Sequence, residues 1–170
     1  MDTISTIMER RSVRKYRQDP LKPEDMRHIL EAGRQAPTAA NRQPVHIVVV
    51  TDAEQRRRVA EACNGQLWMA DAACILVAAG APQITARWYK VDAAITLENI
   101  VLAARSLGYG TCWIGAFDPD KVRDLCGIPS TMEVVACMPL GVPESFPGAR
   151  PRKEFAQLFS ADRYGEPLTL

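Results

Sequence analysis

The sequence predicts an α+β fold, with helices packed around a mixed sheet of about four strands. Two observations carry that reading. The runs Val45–Thr51 (VHIVVVT), Cys74–Ala79 (CILVAA) and Glu133–Gly141 have strand length and strand composition. Between them lie segments with apolar residues at helical spacing, above all Asp92–Leu107. Proline and glycine punctuate the boundaries.

Ile4, Ile7 and Met8 recur at helical spacing behind Asp2 or Thr3 as a cap, so the chain opens with a short helix. That helix runs into the densest basic stretch, Arg10-Arg11-Ser12-Val13-Arg14-Lys15-Tyr16-Arg17, and Pro20 breaks any continuation. Pro23 suits the first turn of a second helix, with Met26, Ile29, Leu30 and Gly33 inward and Pro37 closing it. Val45–Thr51 reads as a buried strand, and Asp52 caps a polar helix over about residues 53–64. Cys74–Ala79 is a second buried strand. The segment Asp92–Leu107 is apolar on nearly every side, with Gly108 as its stop. A helix apolar all round must be buried all round, which in a small fold implies a partner subunit. Thr111–Gly115 (TCWIG) is a short strand, Asp118-Pro119 starts a helix to about Cys126, and Glu133–Gly141 is the last strand. Four prolines after that point predict an extended tail over about residues 143–170.

At 170 residues the expectation is one domain over 1–170. A hydrophobic fraction of 47% and a charged fraction of 24% exclude disorder. Lys+Arg 21 against Asp+Glu 20 leaves no bulk field for nucleic acid or acidic lipid, so any anion site must come from local placement of charge. Five cysteines form no CxxC pair, and the two histidines have no ligand spacing to them, so no metal site is expected. An odd cysteine count behind an N-terminus without signal-peptide pattern suggests reduced thiols in a cytoplasm.

Gly108–Trp113 (GYGTCW) fails GxGxxG, because Trp113 stands at the third glycine, and the segment follows a helix and precedes a strand. There is no GxxxxGK[ST] loop and no GxSxG elbow. A serine triad and a phosphate-cradling P-loop are thereby excluded. Cys112 lacks a histidine in a partner position and reads as a core cysteine. Glu98, inside the apolar helix, needs a partner or a raised pKa.

Three polar segments are candidate sites. Arg10 and Arg14, placed on one helix face with Ser12 between them, suit a small anion such as a phosphate; the plain alternative is a solvated basic helix end. The loop Pro37-Thr38-Ala39-Ala40-Asn41-Arg42-Gln43-Pro44 offers Thr38, Asn41 and Gln43 to the edge of a planar heterocycle, or is a simple connection. Arg150-Pro151-Arg152-Lys153 repeats the basic chemistry far along the chain, or is a solvated tail.

The order of RRSVRKY, APTAANRQP, LGYGTCWIGAF and ARPRKEF resembles the nitroreductase family, homodimeric FMN-dependent oxidoreductases, over nearly the whole chain. The resemblance implies a central, mixed but mainly antiparallel sheet of four to five strands flanked by helices, in a homodimer with exchanged tails. It implies that Arg10, Arg11, Ser12 and Arg14 hold the FMN phosphate, ribityl chain and pyrimidine edge, with Arg14 tuning the flavin, and that Arg150 and Arg152 complete the phosphate site. Pro37, Thr38, Ala39, Asn41 and Gln43 would reach the flavin of the other subunit, and Ile114 and Gly115 would present backbone amides to it. FMN and NADH or NADPH are the implied cofactors, with no catalytic side chain and no metal.

Hydride would pass from the nicotinamide through flavin N5 to a nitroaromatic, quinone or similar acceptor in ping-pong fashion. Two alternatives stay open: a flavin-binding module or sensor with little turnover, and a sister flavin reaction such as reductive dehalogenation. Thr38 stands where the family has serine, which preserves a hydroxyl. Val45 stands where the family has tryptophan, so the aromatic packing of that ring is missing.

Overall fold

The computed structural model describes residues 1–169. Helix α1 (Thr3–Glu9) is capped by Asp2, whose carboxylate accepts the Ser5 N–H and hydroxyl at 3.0 and 2.6 Å. It ends at Arg10, one residue into the basic stretch. The expectation that Arg10 and Arg14 share a helix face is therefore corrected. Residues 10–15 are extended, Ser12 forms a bridge to Thr111, and Tyr16–Arg17 is a two-residue strand, β1. Val13 and Tyr16 turn inward onto Ala72, and that anchorage outweighs the helical spacing.

Helix α2 (Pro23–Arg34) buries Ile29 and Gly33. Strand β2 (Val45–Val50), helix α3 (Ala53–Ala62, capped by Asp52), strand β3 (Cys74–Gly80) and helix α4 (Tyr89–Ser106) follow. Strand β4 (Gly110–Thr111), helix α5 (Pro119–Leu125, capped by Asp118), strand β5 (Glu133–Pro143) and a one-turn helix, α6 (Phe155–Leu158), complete the order.

The five strands run β1-β5-β3-β2, with β4 also on β5, and every strand pair is antiparallel. The Ser12–Thr111 bridge is parallel, so the sheet is mixed but mainly antiparallel. All of β3 is buried because both its faces are covered. Cys74, Leu76 and Ala78 meet Leu97, Ile100 and Val101 of α4 on one side. Ile75, Val77 and Ala79 meet Val59 and Val122 of α3 and α5 on the other, the alternation a pleated strand imposes. β2 was expected to be buried as well. It lies at the sheet edge and is mostly half-buried, since only one neighbour covers its backbone.

The expected strand Thr111–Gly115 is divided: β4 is short, and Ile114 returns to the sheet through a bridge to Cys137. α4 begins three residues earlier than expected, and within one chain it is covered on one face only. Its inner face is closed off while Val91, Ala94, Ile95 and Leu102 are exposed or half-buried. Glu98 lies on that outer face and accepts Trp113 Nε1–H at 3.2 Å. The surface also carries Ile4 and Met8 at 69% and 71% exposure, and Trp88. Among the described residues no helix is long and apolar enough to cross a membrane.

Gly110 is where β4 meets the basic stretch. A Cβ there would lie 2.7 Å from Val13 Cγ2 and 2.8 Å from Val13 Cβ, while the Val13 N–H donates to Thr111 O at 2.9 Å. A β-branched side chain pinned by its own backbone cannot yield. Gly110→Ala is expected to lower stability by about 1–3 kcal/mol; an unchanged urea midpoint would show that Val13 gives way freely.

Candidate functional site

A groove of about 750 Å³ lies between the extended basic segment and the start of the tail. Its lining includes Arg10, Arg11, Ser12, Arg14 and Lys15 on one side and Ser145, Gly148, Arg150 and Arg152 on the other, with Ile7 and Met8 at its edge. The fold thus joins two basic clusters more than 130 residues apart in sequence. Six cations line the groove and no carboxylate does. Among the described residues none of the six is in an ion pair. Like charges held this close repel unless an anion lies between them. Arg11 differs from its neighbours, because its Nη1 donates to the carbonyls of Met8 and Arg10 at 2.8 Å and closes the C-terminal end of α1. Lys15, absent from the sequence-derived set, lines the same groove.

Ile114 and Gly115 stand one strand further on. The Ile114 N–H donates to Cys137 O at 2.9 Å and is engaged in the sheet. The Gly115 N–H has no acceptor among the described residues, and a Cβ at Gly115 would meet nothing within 4 Å. Of the two amides, Gly115 offers the free donor, with open space before it.

The loop Pro37–Pro44 does not line the groove. It is built around a tight turn at Ala39–Asn41, with Ala40, Asn41 and Gln43 at φ of 50°, 53° and 50°. Left-handed backbone costs a non-glycine residue roughly 1–2 kcal/mol. Several bonds hold it: the Gln43 N–H donates to Thr38 Oγ1 at 3.0 Å, the Ala39 N–H to Asp92 Oδ1 at 3.1 Å, Arg42 Nη1 to Ile84 O at 3.3 Å, and the Ala81 N–H to Pro44 O at 2.9 Å. Asp92 is 1% exposed, and its second oxygen has no partner among the described residues. The Asn41 side chain is exposed and makes no hydrogen bond within the described chain. Gln43 instead turns its amide back to Asn41 O at 3.3 Å.

Asp92 and Arg105 are site-supporting residues that the sequence did not reveal, because each acts through a partner more than 50 residues away. The only local hint was a charged residue in an otherwise apolar helix.

Cys112 sits beneath the basic segment, 2% exposed. Burial pushes its thiol up, while Arg14 beside it pulls the other way. Thiols raised by desolvation are poor nucleophiles.

The sequence profile of the nitroreductase family matches residues 7–73 and 64–142. The chain belongs to the nitroreductase family. It is similar to the NADPH-flavin oxidoreductase of Vibrio harveyi, at 32% identity over 181 residues, covering 97% of this chain and 75% of that protein. It is also similar to the NADH dehydrogenase of Thermus thermophilus, 30% identical over 188 residues, covering 88% of this chain and 92% of the other. Among solved structures, the NADPH:FMN oxidoreductase of Vibrio harveyi complexed with NAD+ superposes with a TM-score of 0.88 at 31% identity, covering 98% of this chain and 79% of that one. The Vibrio harveyi structure shares the fold, and the groove described above lies within the matched body and the tail that follows it.

Burial also pushes Cys74 to about 12 and raises Cys126. Titration of the native protein at pH 8 with an aromatic disulfide reagent is expected to show no fast thiol, and denaturation to release all five. Fast labelling that disappears in Cys112→Ala would overturn the assignment of Cys112 as a core residue.

Proposed function

We propose that this nitroreductase binds FMN and transfers hydride from NADH or NADPH to a nitroaromatic, quinone or similar planar acceptor, with donor and acceptor taking turns in one pocket. The observation that carries the reading is the groove itself, six cations with no carboxylate in its lining; the free backbone N–H at Gly115 lies outside that lining and supports the reading separately. That donor set fits FMN: guanidinium groups pair with phosphate oxygens bidentately, and the open space at Gly115 leaves room for a flat ring. Bound FMN supplies the two-electron chemistry, accepting hydride on its ring system and giving it up again.

The chain's own residues do the rest. Arg10, Lys15, Arg150 and Arg152 would hold the phosphate end, with Ser12 adding a hydroxyl and Arg11 steadying the end of α1. Arg14 is a fixed positive charge placed to stabilise negative charge on the reduced ring. Pro37, Thr38, Ala39, Asn41 and Gln43 form a rigid polar edge whose exposed donor is the Asn41 amide.

That loop belongs to the flavin of a second copy in this reading, and a length argument supports it. The loop is tied to Asp92 and the groove to Arg105, thirteen residues along α4. At 1.5 Å per residue the two lie roughly 20 Å apart within one chain. A partner packed along α4, over the exposed apolar residues Trp88 and Val91 at one end and Ile4 and Met8 of α1 near the other, would bring its own loop to this groove. A flavin-loaded monomer in light scattering would refute the shared site; a dimer is expected.

The deciding experiment is the visible spectrum before and after anaerobic NADH or NADPH. A two-band flavin spectrum that bleaches, with parallel-line kinetics toward a nitroaromatic or quinone, is expected. A spectrum that resists both donors would favour a flavin-binding module with little turnover. Arg10→Ala and Arg152→Ala are each expected to weaken FMN binding by roughly 1.5–3 kcal/mol, read by equilibrium dialysis. Unchanged affinity in both would overturn the phosphate assignment.

A further inference from the structure

Arg105 lies in the last turn of α4 with its side chain 13% exposed. Its Nη2 donates to Glu9 Oε2 at 2.7 Å. Its guanidinium carbon sits 4.0 Å from the ring centroid of Phe146, in stacking range. Its Nε is buried without an acceptor among the described residues.

The two partners are telling. Glu9 is the last residue of α1 and directly precedes Arg10. Phe146 directly precedes Pro147 and packs against the cluster of Val13, Tyr16 and Ala72. One guanidinium therefore grips the chain just ahead of the cations in each wall of the groove. The tail has little else to hold it there. The Glu144 N–H donates to Lys15 O at 3.1 Å. Among the described residues no hydrogen bond then joins residues 145–153 to the rest of the chain. The Arg105–Phe146 stack, together with the packing of Phe146 on Val13, Tyr16 and Ala72, is thus the last anchorage before Arg150 and Arg152. An apolar residue would fill the same space without desolvating a charge, so the cation is there for the linkage and not for packing.

We infer that Arg105 is a positioning residue that sets the spacing between the two cationic walls, and through it the affinity for a phosphate monoester. The inference rests on the FMN reading above. It goes beyond that reading because Arg105 does not line the groove and acts only through Glu9 and Phe146.

The test titrates flavin-free protein with FMN and with riboflavin, which lacks the phosphate, by quenching of flavin fluorescence. In Arg105→Met the FMN dissociation constant is expected to rise roughly tenfold while that for riboflavin holds within twofold. Glu9→Gln, a surface change that leaves the fold intact, is expected to raise the FMN constant about threefold. Arg105→Met in an Arg152→Ala background is expected to add less than twofold, because the tail cation it positions is already gone. Trypsin is expected to cut Arg105→Met faster than wild type after Arg152 and Lys153, a readout that needs no flavin.

Equal loss of FMN and riboflavin would make Arg105 a packing residue and overturn the proposal. So would FMN affinity unchanged in Arg105→Met while Arg10→Ala and Arg152→Ala weaken it, and that pattern leaves the FMN reading intact. If Arg10→Ala and Arg152→Ala also bind FMN normally, the FMN reading itself falls.

Discussion

Strand β5 is the constraint from which the site hangs. Its eleven residues pair with β3 along one edge and with β1, β4 and Ile114 along the other. Those pairings are obligatory, since a buried backbone group left unpaired costs about as much as a lost hydrogen bond. They draw the basic segment and the root of the tail to the C-terminal end of β5, and hold Ile114, just before the Gly115 amide, against Cys137 near its middle. Residues 10–15 have no regular structure of their own to hold them. They sit where they do because Tyr16 and Arg17 are locked to Pro143 and Val142, and Val13 is locked to Thr111.

The second determinant is α4. It buries Leu97, Ile100 and Val101 against the sheet, so its axis is fixed with respect to β3 and β5. Each end then pins a segment that could not stay ordered alone. Asp92 near the first turn holds Ala39, and Arg105 in the last turn holds Glu9 and Phe146. The signs suit the helix dipole, acid toward the N-terminus and base toward the C-terminus, which lowers the cost of burying both. The helix thereby sets the separation of the two polar segments.

The elements with local signals were legible in the sequence. Asp2, Asp52 and Asp118 each cap a helix as their spacing implied, and β3 reads as continuous apolar chain because both faces are covered. Residues 10–14 misled for a physical reason: arginines four apart satisfy helical spacing and extended alternation equally, and only the inward anchorage of Val13 and Tyr16 decides. β1 and β4 are two residues long and carry no period at all, so their pairing with β5 supplies the whole signal. The motif order disclosed the family. The residues that brace the motifs, Asp92 and Arg105, were out of reach because their partners are set by tertiary structure.

The same site explains where the fold tolerates strain. Three of the five non-glycine residues with left-handed backbone, six cations without an ion pair and a carboxylate oxygen without a partner among the described residues are all unfavourable to the folded chain by itself. They lie outside the core strands, in the groove, the Pro37–Pro44 loop and the Asp92 end of α4, while β3 and the inner face of α4 are apolar and closed. A chain selected for stability alone would have neutralised the groove with a carboxylate and placed glycine at residue 40. Keeping the cations bare and the loop rigid leaves charge and backbone strain unsatisfied in the folded protein, and an anion held between the cations would relieve the first of these.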